Sequence, residues 1–473
     1  MHPLEIKMNR IKKSITQTLL ITSLVVFPVL GFAQETQPVM PKIEETPLPP
    51  TITLEAPNAP LPKDIPNKPL SAEEAVRIAL HHQPSIFSAM DNVYAAAGAT
   101  MQARSNLYPL LSISAGVNQS GVLASEGKYQ LSTGGSMSAT ATIRQLLFDF
   151  NHTRDIVAEA EQNENATKAN LTVAQNDLAY QVKQAFYTYV QDERLVAVNQ
   201  SNVASLQQHL AETKAQLNAG VGLLSDVTNA EASVSSAILT LSQAENNASV
   251  AKVNLTLLLG IDPRTPLNIA TDTGEPAMNA LDVATLVKTA LQQRPEILSS
   301  QANLNAAKLG LDAAKTSNAP SISADMSANA ASNNFPPGND TWTIGASVSW
   351  NPFDSGYTYG KIKQAEGNLQ SAAAQLESQK LSVVSDVSQA YLNLKTAEQS
   401  VSTANIEVAN AEENLKLADG RYRSGVGIFL EVTDAQTSLL TAQTNLVNAR
   451  TAVDLARSAL SHAIGESVQA LVK

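Results

Sequence analysis

Three carboxylates, Asp226, Glu431 and Asp434, stand within two similar phrases. The first is NAGVGLLSDVTNAE from Asn218 and the second is RSGVGIFLEVTDAQ from Arg423. Six of the fourteen aligned positions are identical, and the phrases lie 205 residues apart. Each breaks a long helical pattern with Gly-Val-Gly: Gly220, Val221 and Gly222, then Gly425, Val426 and Gly427. A glycine takes positive φ without a Cβ clash, so a tight helix reversal fits Gly220 and Gly425. Acids just beyond the reversal fall near the N-terminus of the next helix, where an acid favours the helix dipole by about 0.3–1 kcal/mol. Neither phrase is a nucleotide loop, because a G-x-G preceded by helix lacks the strand and the third glycine.

Other reactive groups are sparse. The chain has no cysteine, which excludes disulfides, thiolate metal sites, a cysteine nucleophile and a lipid-modified N-terminal cysteine. His2, His81, His82, His152, His209 and His462 are scattered and read as solvated surface side chains, so no metal site is expected. There is no Ser-His-Asp constellation, HExxH or phosphate loop; neither an enzyme nor a cofactor is expected. A net charge of −11 does not suit nucleic acid.

The elements that must position the two phrases can be read along the chain. Lys7, Arg10, Lys12 and Lys13 precede an apolar run from Leu19 to Leu30, and small residues end at Ala33. This is the pattern of a secretory signal over residues 1–33. Residues 34–69 carry ten of the 22 prolines and read as an extended linker. Then comes an internal repeat, 70–280 followed by 281–473. LSAEEAVRIALHHQPSI from Leu70 matches LDVATLVKTALQQRPEI from Leu281. Further on, Phe148-Asp149 matches Phe353-Asp354, and Gly260 matches Gly465.

Four segments alternate with period two and predict strands at 110–118, 136–146, 321–330 and 341–350. Each has about the length that crosses a membrane. Their apolar faces carry Leu111, Ile113, Ile143, Met326 and Ile344, among others, with Ser and Thr opposite, as in a wet lumen. Trp342 and Trp350 sit at the two ends of one apolar face and suggest an aromatic girdle, the alternative being a soluble hairpin with one buried face. Long helices are predicted at 151–218 and 355–423, followed by helices at 222–259 and 427–464. The run Val387, Ala390, Leu394, Ala397, Val401, Ala404, Val408, Ala411, Leu415, Ala418, Tyr422 keeps a 3,4 spacing, which is a heptad seam. Four strands cannot close a barrel, and lipid forbids an open sheet edge, so other chains must complete it.

The chain resembles the TolC family of outer-membrane efflux channels. The resemblance covers about residues 70–466 and rests on the repeat, the order helix–strand–strand–helix–turn–helix, and three phrases. RQLLFDFN and WNPFDSG resemble the family's L-F-D-G-G corners, although the first lacks both glycines and the second keeps only Gly356. RYRSGVGIFLEVTDAQ resembles its R-Y-x-x-G turn. The resemblance implies a homotrimer of mixed architecture, with a twelve-stranded membrane β-barrel above an all-α tunnel of twelve helices and an equatorial belt that includes about Ile261–Leu281. It implies a passive outer-membrane channel of a tripartite efflux or type I secretion system. Its partners would be a periplasmic adaptor protein, an inner-membrane pump of the RND, ABC or MFS type, and outer-membrane lipid. It further implies that Val221 and Val426, held by their flanking glycines, dock the adaptor. Asp226, Tyr422, Glu431 and Asp434 would line the periplasmic entrance, where rings of carboxylates select cations. The family's latch arginine is replaced by Gly427, leaving Arg421 and Arg423 as substitutes. The alternative is a structural or adhesive coiled-coil surface protein.

Overall fold

A computed structural model describes residues 69–119, 122–123, 129–130, 135–265, 268–270, 282–332 and 339–466. The expected signal, linker residues 34–68 and most of the expected belt segment lie outside these residues. The element order is α1 (Ala72–His82), α2 (Pro84–Ser105), β1 (Leu110–Gln119), β2 (Val122–Leu123), β3 (Tyr129–Gln130), β4 (Gly135–Phe148), α3 (His152–Asn218) and α4 (Leu224–Leu258). It continues with α5 (Val283–Gln293), α6 (Pro295–Thr316), β5 (Ser321–Ser332), β6 (Asn339–Ser349), α7 (Tyr357–Arg423) and α8 (Phe429–Ile464). Apart from the short β2–β3 ladder, the second half repeats the first.

α1 starts at a capping box in which Ser71 and Glu74 satisfy each other's amides. Pro84 and Pro295 occupy the first turns of α2 and α6, where a missing amide hydrogen costs nothing. α3 and α7 are 67 residues each, about 100 Å at 1.5 Å per residue. Each repeat has its own core at equivalent positions. Val182, Leu255 and Leu259 in the first correspond to Val387, Leu460 and Ile464 in the second. On α7, Val387, Ala390, Leu394, Ala397, Ala404 and Ala418 of the heptad seam are buried. Alanine at these positions lets α8 lie close along α7. Among the described residues, no helix is long and apolar enough to cross a membrane.

The main sheet has the order β1–β4–β5–β6 and is antiparallel throughout, so the repeats join at β4–β5. Register turns the strand alternation into continuous rows. Leu111, Ile143, Met326 and Ile344 are successive partners across all four strands. The next row on the other face is Ser112, Thr142, Ser327 and Thr343. The apolar side is open, with Ile113 76% exposed and Ile344 69% exposed. On the polar side Arg144 Nε donates to Asp325 Oδ1 at 2.7 Å, and Ser347 donates to Asp325 Oδ2 at 2.8 Å. Among the described residues β1 and β6 each pair with one strand only, so both outer edges of this sheet are open to another strand.

The corners from sheet to long helix are matched. Asp149 Oδ2 accepts the Thr153 amide, and Asp354 Oδ2 accepts the Thr358 amide, both at 2.8 Å. Between acid and helix the chain is left-handed: φ is 57° at Phe150 and 69° at Asn151, and 55° at Ser355 and 89° at Gly356. A non-glycine residue in this region costs roughly 1–2 kcal/mol. Ser355→Gly should therefore stabilise the protein by about 0.5–1 kcal/mol, after the extra freedom of glycine in the unfolded chain is subtracted. A higher denaturant midpoint of the purified protein in detergent is the expected result.

Candidate functional site

The repeated phrases form the far ends of the two helical hairpins, α3–α4 and α7–α8. Both turns are built alike. The Gly220 amide donates to Leu217 O at 3.0 Å, and the Val221 and Gly222 amides both reach Gln216 O, at 3.1 and 3.0 Å. In the second turn the Gly425 amide donates to Tyr422 O, and the Val426 and Gly427 amides to Arg421 O, all at 3.0 Å. This is a Schellman ending that satisfies the last carbonyls of each long helix.

The two glycines of each turn serve different ends. Gly220 and Gly425 take φ of 77° and 71°. Gly222 and Gly427 have no positive φ but fold back onto the helix. A Cβ on Gly222 would lie 2.7 Å from Leu217 N, and one on Gly427 would lie 3.0 Å from Arg421 Cβ. The next residues, Leu223 and Ile428, are extended, so α4 and α8 begin at residues 224 and 429 rather than at 222 and 427.

The valines between the glycines point away from everything: Val221 is 81% exposed and Val426 75%. Leu223, Leu224, Ile428 and Leu430 are also exposed, and the sequence reading did not single them out. Their signal was present as a four- to five-residue apolar run across each turn.

The entrance candidates fall into two groups. Tyr422 is half-buried; its hydroxyl donates to Gln216 Oε1 at 2.9 Å. Burial, and then the nearby charges of Asp226 and Glu212, hold its phenol above its ordinary pKa, so it remains a donor. Asp226 therefore shares the neighbourhood of Tyr422. Glu431 instead faces Arg421 at 3.6 Å, and Asp434 is exposed on α8. Arg423 crosses from α7 to α3, with Nη2 2.9 Å from Glu212 Oε1 and Nε 3.0 Å from Asp419 Oδ2.

The histidines require a correction. His209 is buried, with its ring 5.8 Å from that of Tyr422 and 5.9 Å from that of Phe429. His152 Nδ1 lies 2.9 Å from Ala313 O, and His462 Nε2 lies 2.8 Å from Asp177 Oδ1 while its ring stacks on Tyr180. These three rings are used between helices rather than solvated. Each falls on a face that a second helix covers, which isolated histidines do not announce.

At the other end, Trp342 in β6 is exposed. Trp350 follows the strand, which ends at Ser349 rather than at 350, and its indole N–H donates to Asn318 O at 3.1 Å. The eight residue steps from Trp342 to Trp350 span about 26 Å of extended chain. Exposed Tyr108, Phe148, Phe150 and Phe353 gather at the corner end of the sheet. Their signal was position, since each flanks a strand.

The description "outer membrane efflux protein" belongs to the family model that matches residues 75–261 and 286–466. These segments are the two repeats. Protein CyaE of Bordetella pertussis is 27% identical over 379 residues, which is 78% of this chain and 79% of that protein. Outer membrane efflux protein BepC of Brucella suis is 28% identical over 324 residues, 63% of this chain and 70% of its own. Among solved structures, CusC aligns with a TM-score of 0.75 at 20% identity, over 83% of this chain and 92% of that one. The outer membrane protein VceC of Vibrio cholerae aligns with a TM-score of 0.72 at 22% identity, over 83% and 96%. A duplicated chain of paired strands and 67-residue helices, matched by that model along both repeats, belongs to the outer membrane efflux protein family.

Proposed function

We propose that three copies of this chain form a passive duct through the outer membrane. Adaptor and inner-membrane pump would deliver cargo to its periplasmic end, as in a tripartite efflux or type I secretion system. The observation that carries this reading is the sheet. It has a continuous apolar face open to its surroundings, a polar opposite face, and two strand edges that have no partner among the described residues. Unpaired edges and an apolar face are incompatible with lipid and water respectively, so the sheet needs both more strands and a membrane. Three copies supply about twelve strands, enough to enclose a channel. Trp342 and Trp350 would mark the two rims of the apolar band, which is about 25 Å tall in such barrels. A surface-adhesion role gains no support from the relatives.

The α3–α4 and α7–α8 tips would face the adaptor through Val221 and Val426, with Asp226, Tyr422, Glu431 and Asp434 around the entrance. Planar-bilayer recording tests the duct directly. The wild-type protein should give discrete, cation-selective conductance steps. Glu431→Ala with Asp434→Ala should weaken that selectivity and the block by multivalent cations. An absence of steps would refute the duct. Unchanged selectivity would leave the acids only their helix-dipole role.

A further inference from the structure

His209, Glu212 and Asp419 each offer one ligand atom, and these atoms lie within 4.8 Å of one another. The site stands behind the tip, eleven residues before Gly220 on α3, about 16 Å along the helix. His209 and Glu212 are three residues apart and so share one face of α3. Asp419 comes from α7. A cleft of about 430 Å³ opens beside them, lined also by Gln208, Arg423 and Gln436.

His209 supplies the second observation. The residue is only 8% exposed, and its Nε2 is buried with no hydrogen-bond partner. Nδ1 lies 3.7 Å from Glu212 Oε2, beyond hydrogen-bond reach. Buried polar atoms are nearly always satisfied, and an orphan inside a protein calls for a ligand or a function. Here the orphan belongs to an imidazole whose other nitrogen faces Glu212 and which lines the same cleft as Glu212 and Asp419. Arg423 already lies between those carboxylates, bound to Glu212 Oε1 and Asp419 Oδ2. A cation is therefore accommodated here, while Glu212 Oε2 still faces the imidazole.

We propose that His209, Glu212 and Asp419 form a binding site for a first-row divalent transition metal of the zinc class, which ties α3 to α7 behind the tip. One imidazole and two carboxylates suit such an ion, whereas magnesium and calcium prefer oxygen ligands only. Tetrahedral ligand atoms about 2.1 Å from one ion lie about 3.4 Å apart, so atoms already within 4.8 Å of one another need to close by no more than about 1.4 Å. The ion takes over the tie that Arg423 makes, and the guanidinium swings outward into the cleft. This site does not depend on the proposed duct. Its residues are not those assigned to the entrance, although the His209 ring lies 5.8 Å from that of Tyr422.

Zinc chloride titrated calorimetrically into the purified full-length protein in detergent tests the proposal. One zinc per chain is expected. His209→Ala or Asp419→Asn should weaken binding at least tenfold, whereas Glu413→Gln, an exposed acid on α7, should not. Arg423→Gln should strengthen it, since the competing cation is gone. X-ray absorption of the zinc-loaded wild-type protein should show scattering from one imidazole, a readout that needs no variant to fold. Absence of saturable binding, zinc without an imidazole ligand, or binding equally strong in the His209 and Asp419 variants would each overturn the proposal.

Discussion

Val221→Asp combined with Val426→Asp should abolish export while trimers still assemble and reach the outer membrane. Both valines are at least 75% exposed and neither holds positive φ, so the folded chain loses almost nothing by the change. Exposed substitutions of this kind usually alter stability by no more than about 0.5 kcal/mol. At a docked tip the balance differs. Burying a valine contributes about 1.5–3 kcal/mol, and an aspartate in its place must shed water with no partner supplied. Six tips per trimer multiply the effect, so export should fall by several orders of magnitude. Cargo efflux, heat-resistant trimers on gels and crosslinking to the adaptor are the measurements. Unchanged export would refute the docking role of the valines.

The second large effect concerns closure. Tyr422→Phe with Arg423→Gln removes the hydrogen bond to Gln216 and the ion pair to Glu212, the side-chain ties described above between the α7 end and α3. Arg423 is largely exposed, so the pair contributes less than a buried one would. About 1 kcal/mol per chain for both contacts is a reasonable magnitude. Three chains moving together make this roughly 3 kcal/mol, or about a hundredfold in the ratio of closed to open channels. Single-channel recording should show the double variant open at rest for a larger fraction of the time than the wild type. Equal resting conductance would mean that these contacts do not hold the entrance.

Much of this architecture could be read from the chain. Period-two alternation marked the strands because one face must be apolar and the other wet, and the register then lined those faces into rows. The heptad of small residues marked α7 because a close-packed partner leaves little room. The Gly-Val-Gly phrases marked the tips because a reversal needs left-handed backbone. What escaped was set by contacts between distant segments. The burial of His209 depends on Tyr422 and Phe429, more than 200 residues away. The need for the second glycine of each turn comes from the fold-back, which would press a Cβ there against the preceding helix. Phe150 and Ser355 obscured the corners, since both hold a left-handed conformation without being glycine.

The sheet's two free edges have a genetic consequence. β1 and β6 are unlike, so in the proposed trimer neighbouring copies would meet head to tail, and every copy would supply one half of two different seams. A chain with a damaged β1 edge still offers a sound β6 edge and enters a ring that it then cannot close. In a cell making equal amounts of damaged and intact chains, only about one trimer in eight would be wholly intact under random assembly of three head-to-tail copies. Lesions on either edge strand should therefore behave as dominant alleles, whereas lesions at the tips spoil only the contacts of the copy that carries them.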